Sequence, residues 1–174
     1  MKDKPRNHAH QQPLWVEAFR FTVPGTPHAK QRPRLGRGGH TFTPKPTKRY
    51  EESVAWHARA MAKTRVVAPT GVPVRVDILA QYPRPQRLDK APPGLLPKYN
   101  SKYGDLDNHI KAILDGLNVS RIWHDDAQVQ CIRAESVYAA KGQRPCSLII
   151  VYIPQVEQQE DNAILEASAP STDD

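Results

Sequence analysis

Between Tyr103 and Val129 the chain reads YGDLDNHIKAILDGLNVSRIWHDDAQV, a stretch with the apolar spacing of a core helix that nonetheless carries five aspartates and one lysine. Asp105 and Asp107 stand two apart at the helix entry. Lys111 and Asp115 follow at one-turn intervals, and Asp125 and Asp126 come after the helix. Two or three carboxylates converging on one point raise one another's pKa and cannot all stay ionised without a cation. A hard divalent ion with a preference for oxygen, Mg²⁺ or Mn²⁺, resolves that conflict and retains several waters. Such an ion can acidify a water for in-line attack on a phosphodiester and stabilise the leaving oxygen, so the chemistry expected is hydrolytic strand cleavage. Lys111, on the stripe of Asp107, would contact the scissile phosphate or stabilise transition-state charge. Its plainer role is an i,i+4 pair worth roughly 0.2–0.5 kcal/mol. One aspartate at the helix entry is explained by N-capping, and two leave a surplus. A lone Asp-Asp pair before a strand would be a turn. Convergence of both pairs requires the segment after the helix to return Asp125 and Asp126 toward the helix start.

The elements that must position these residues are legible as periodicities. Trp15 to Val23 alternates, with Trp15, Phe19, Phe21 and Val23 on one face, and predicts a first strand. Pro24 to Pro46 is rich in Pro, Gly and basic residues and reads as a cationic loop. Thr47 is expected to cap a helix whose Tyr50, Val54, Ala58 and Met61 form the buried face, with Glu51 and Glu52 in its first turn. Val74 to Tyr82 predicts a second strand. Residues 83–104, Pro- and Lys-rich, predict a functional or mobile loop without regular structure. In the second helix Leu106, Ile110, Ile113, Leu114 and Leu117 fall within about 100° of arc, and Asp107, Lys111 and Asp115 form the adjacent stripe. Gln128 to Tyr138 and Cys146 to Ile153 read as two strands of a hairpin turning at Lys141-Gly142. The expected fold is an α/β (α+β) domain, a small mixed sheet with two main helices in the order β-α-β-α-β-β. Residues 1–13 are expected to be a disordered polar leader and 155–174 a disordered acidic tail, leaving 14–154 as the domain.

Charge narrows the partner. The chain holds 25 Lys+Arg against 18 Asp+Glu, a net +7, and six of those acids lie after Pro154, where no basic residue occurs. A compact domain this basic is suited to a polyanion, and a phosphate backbone is the commonest one. The two cysteines, Cys131 and Cys146, form no CxxC pair and read as reduced thiols of a cytoplasmic protein. The N-terminus lacks an apolar signal region, and the longest apolar run, residues 148–153, is too short to span a membrane. His109 and His124 have no second His or Cys at zinc-ligand spacing, and no nucleotide-binding glycine motif is present.

These residues resemble the RusA-type Holliday-junction resolvases, endodeoxyribonucleases often carried by phages and prophages. The resemblance runs from about Phe21 to Ile153. It rests on PGTPHAKQRPR at 24–34 with Thr41-Phe42-Thr43-Pro44, on GDLDNHIKAILDGLN at 104–118, and on IWHDDAQV at 122–129. It implies that Asp105, Asp107 and Asp126 hold catalytic Mg²⁺ and that Lys111 is the essential basic residue. Asp125 and Asp115 would be supporting positions. It further implies a RusA-like fold and a homodimer that makes two symmetry-related cuts in branched DNA during recombination and repair. Lys30, Arg32, Arg34, Arg37, Lys45, Lys48 and Arg49 would bind DNA phosphates without reading sequence. The reading from another class is a noncatalytic architectural DNA-binding protein that uses the same basic loops and is indifferent to Mg²⁺.

Overall fold

A computed structural model describes residues 13–36, 38–63, 65–98 and 103–155. All of the expected leader but Pro13, all of the expected tail but Gln155, and Arg37 therefore lie outside the described residues. The main elements follow the expected order. Strand β1 (Trp15–Pro24) leads through the short strands β2 (Arg34–Leu35) and β3 (Thr41–Phe42) to helix α1 (Lys45–Ala62). Strand β4 (Val74–Tyr82) and the short β5 (Leu96–Pro97) precede helix α2 (Leu106–Ser120), and β6 (Val129–Tyr138) and β7 (Cys146–Pro154) complete the domain.

The mixed sheet has the order β1-β7-β4-β6-β5, with β4 parallel to β6 and antiparallel to β7. Strand β4 is therefore central, and every second residue from Val74 to Tyr82 is buried. Both helices cover one face. Tyr50, Val54 and Ala58 of α1 and Ala112, Ile113 and Leu117 of α2 share a core with residues of β1, β4 and β7 such as Phe21, Ile78 and Ile149.

Several local expectations need correction. Strands β6 and β7 form no hairpin, because β4 lies between them. Since β6 runs parallel to β4, the chain leaving Tyr138 emerges at the C-terminal end of β4, and the turn at Gly142 carries it across that end to descend on the other side. Helix α1 starts at Lys45 with Pro44 as its N-cap and a proline in its opening positions, so Thr47 is not the cap. It is instead fully buried, and its Oγ1 accepts from the backbone N–H of Gln31 at 3.3 Å. Glu51 and Glu52 consequently fall past the first turn, and Met61 is exposed while Ala62 is buried. The Pro-rich connection is organised by one side chain: the Arg84 guanidinium donates to the carbonyls of Leu88, Ala91, Pro92 and Gly94. That connection also contains a 3-10 turn at Gln86–Leu88 and contributes β5 to the sheet edge, and the cationic loop holds the β2–β3 pair.

Helix α2 bridges the parallel strands β4 and β6, so it must run back along the sheet between them. Its first turns lie against the end of β4, where the Tyr82 hydroxyl meets His109 Nε2. Its last turn lies near the start of β6, where Trp123 Nε1 donates to Asn118 Oδ1 at 2.5 Å.

Candidate active site at the start of helix α2

Asp105 is the N-cap residue of α2 in extended backbone conformation (φ −87°, ψ 153°), yet its carboxylate makes no capping hydrogen bond. The capping role that would explain this aspartate is therefore unused. Asp107 occupies the first turn, with its Oδ2 3.5 Å from Lys111 Nζ, and both side chains are mostly exposed. A carboxylate and an ammonium thus project side by side from the helix N-terminus, where the helix dipole favours anions.

The cationic loop is docked directly on this end of α2. The Lys30 N–H donates to the Asn108 carbonyl at 2.9 Å, and the Lys30 ammonium pairs with Asp115. Gly104 makes the approach sterically feasible: its φ is +91°, and a Cβ there would lie 2.5 Å from Ala29 Cβ. Between loop and helix lies a cavity of about 390 Å³ whose lining includes Thr26, His28, Lys30, Tyr103, Asp105 and Asn108. Burial lowers the pKa of His28.

Beneath Gly104 and Asp105 sits a fixed aromatic group. His109 is fully buried, and its Nε2 lies 3.0 Å from the Tyr103 carbonyl as well as against the Tyr82 hydroxyl. Burial pushes its pKa down to about 4, opposed by the Tyr103 carbonyl, so the ring is neutral at pH 7. His109 is thus a core histidine engaged through Nε2, while its buried Nδ1 has no hydrogen-bond partner among the described residues; His124 is exposed. Tyr103 stacks on Tyr82 with ring centroids 5.0 Å apart. Lys98 Nζ donates to the Gly104 carbonyl at 3.2 Å and lies 5.0 Å from the Tyr82 ring centroid. Burial lowers the Lys98 pKa, and the Asp105 charge opposes that shift. The acidic motif does not point to Lys98, Tyr82 or His109, because they reach this place through β4, β5 and the buried face of α2.

Helix α1 runs alongside α2 in the same direction. Glu51 lies beside Asp115, Val54 against Gly116, and Arg59 donates to the carbonyls of Ser120 and Val119. The Glu51 pKa is raised, first by burial and then by the Asp115 charge. This alignment puts Lys45, Lys48 and Arg49, all exposed in the opening turns of α1, at the same end of the molecule as Asp105 and Lys111. Arg32 and Arg34 are exposed on the adjoining loop. Lys30 differs from them, since its ammonium is committed to Asp115.

Asp125 and Asp126 lie elsewhere. Asp125 caps the 3-10 turn Asp126–Gln128, accepting from the Ala127 N–H at 2.8 Å in a capping box with Gln128. Gln128 anchors the turn to the carbonyls of Ala68, Pro69 and Val72, just before β4 begins. Asp126 is exposed and makes no side-chain hydrogen bond to the described residues. A 15-residue helix rises roughly 22 Å, so Asp126 and the Asp105–Asp107 pair stand at opposite ends of α2. The expected return of the second pair toward the helix start does not occur within one chain. Among the described residues no three His, Cys, Asp or Glu side chains gather into a metal-holding group. The donors at the start of α2 nonetheless suit a hard cation: they are carboxylate oxygens, exposed, and that of Asp105 makes no capping hydrogen bond.

Comparison with protein-family models matches residues 24–145 to the family described as Endodeoxyribonuclease RusA. No curated protein matches the chain. The matched span runs from the cationic loop through the aspartates of α2 and the Asp125–Asp126 turn. Among the described residues no helix is long and apolar enough to cross a membrane.

Proposed function

Because this chain belongs to the RusA endodeoxyribonuclease family, we propose that it is an Mg²⁺-dependent endonuclease that cuts four-way and other branched DNA in recombination and repair. The observation that carries this reading is the N-cap carboxylate of Asp105, unused for capping, beside Asp107 and Lys111 at a helix start surrounded by exposed cations. Asp105 and Asp107 would hold the divalent ion, Mg²⁺ or Mn²⁺. When bound, that ion acidifies the attacking water and neutralises charge developing on the leaving oxygen. Lys111 contacts the scissile phosphate, which it can do by rotating away from the exposed Asp107 at little cost, since such pairs are worth well under about 1 kcal/mol. Arg32, Arg34, Lys45, Lys48 and Arg49 bind flanking phosphates, giving affinity and orientation without sequence information.

The position of Asp126 shapes the rest of the proposal. It cannot join Asp105 and Asp107 of its own chain, so we place it in the site of a second copy. In a twofold dimer any contact made once is made twice. An Asp126 that reaches the partner's α2 start therefore completes two equivalent sites, as paired cuts across a junction require. Asp125 supports this arrangement by fixing the turn that presents Asp126, and Asp115 does so by holding Lys30 and its loop against α2.

Cleavage of a synthetic four-way junction, a flap and plain duplex, with and without Mg²⁺, tests the reading. Paired nicks in the junction that require Mg²⁺ are expected. Junction binding indifferent to Mg²⁺ with no nicked product would establish the architectural alternative instead.

A further inference from the structure

Lys98 lies just after β5 in the Pro-rich connection, and nothing in the acidic motif marks it. It is nevertheless held at both its backbone and its ammonium. The Lys98 N–H donates to the Ser136 carbonyl of β6 at 3.3 Å, which anchors the base of the side chain to the sheet. Its ammonium is aimed by the Tyr82 ring, 5.0 Å away, and by the Gly104 carbonyl at 3.2 Å. The Tyr82 ring is itself held from two sides, by the hydroxyl contact to His109 and by stacking against Tyr103.

The Gly104 carbonyl belongs to the peptide that leads into Asp105, so this cation stands at the edge of the proposed metal site. An ammonium has three donors, and the Gly104 carbonyl takes one. A neutral carbonyl and a ring face compensate a half-buried positive charge only in part. Once the charge of Asp105 is engaged by a divalent ion, an anionic oxygen is the partner that best balances Lys98. The substrate brings such oxygens to this place. Resting on the nuclease reading above, we propose that Lys98 is a second active-site cation, contacting the DNA phosphate next to Asp105 and complementing Lys111.

The test compares Lys98→Met and Lys98→Arg in the full chain. Junction binding is measured in EDTA over a range of KCl, where each lost phosphate contact reduces the slope of log K against log salt by about 0.9. Lys98→Met is expected to lose about one such contact and Lys98→Arg to keep it. In single-turnover cleavage with Mg²⁺, Lys98→Met is expected to be slowed at least about tenfold, with Lys98→Arg closer to wild type. A Lys98→Met protein that melts like wild type but keeps the full salt slope would overturn the proposal. Should Lys98→Met melt early, Lys98→Gln, which keeps a donor for the Gly104 carbonyl, carries the same comparison. A wild-type chain that cuts no branched DNA would sink the nuclease reading, while the salt slope would still decide whether Lys98 touches phosphate.

Discussion

Asp105 shows how residue type and residue use differ. A helix-entry aspartate is ordinarily a cap, and only the backbone and hydrogen-bond geometry reveal that this carboxylate caps nothing. Asp125, its apparent counterpart after the helix, does cap, which separates it in kind from Asp126. At this scale the proposed chemistry predicts that Asp107→Asn lowers junction cleavage at least about 100-fold, as expected when a group acting in the transition state is lost. Junction binding in gel-shift assays should be retained or tightened, because repulsion of phosphate is relieved; full cleavage by this variant would remove Asp107 from the site. His109 gives a pH prediction. Its folded-state pKa, about 4, lies below the ordinary 6.5, so the unfolded chain binds this proton first. The stability it contributes is complete above pH 6.5 and is lost as pH falls from 6.5 to 4, on the order of 3 kcal/mol. Urea unfolding at pH 7 and pH 4.5 should show a steeper loss for wild type than for His109→Gln. The aspartates and Lys111 were legible in the sequence because their spacing is local. Lys98 and Tyr82 were not, since they come to Gly104 through strand pairings that no local pattern records.

Helix α2 does for the site what no single residue can: it fixes Asp105, Asp107 and Lys111 on one rigid piece and holds the basic loop and α1 against its flank. Gly116 is where α1 comes closest. A Cβ there would lie 2.7 Å from Val54 Cβ and 2.8 Å from the Glu51 carbonyl oxygen, and backbone yields little. Gly116→Val should therefore destabilise the domain by at least about 2 kcal/mol through overpacking, measured by chemical denaturation. An unchanged midpoint would show that the helices can separate freely. Both helices and the four long strands were legible from periodicity, because each buries one face. The neighbours of each strand were not. Gly142 does turn the chain as its position suggests, but a turn signal cannot disclose that β4 occupies the space between β6 and β7. Thr47 suggests a later start for α1 because it is a good capping residue, while its role in the fold is to receive the Gln31 N–H from the loop across from it.

For the molecule as a whole, the exposed cations Arg32, Arg34, Lys45, Lys48 and Arg49 stand at the end where α2 starts, and the turn of Asp126 lies at the other. The sequence brings both aspartate pairs within one short segment, and α2 then holds them about its own length apart. Under the proposed function a complete site therefore draws on two chains, and mixing two variants tests that most directly. Asp107→Asn and Asp126→Asn chains, each expected to be inactive alone, would be co-expressed with different tags and purified as the mixed dimer. If Asp126 serves the partner's site, one of the two sites in that dimer carries both substitutions and the other carries neither. Mg²⁺-dependent nicking of one junction strand is expected to return in the mixed dimer. A mixed dimer that binds the junction but cuts neither strand would contradict it, since sites built within single chains would leave one lesion in each.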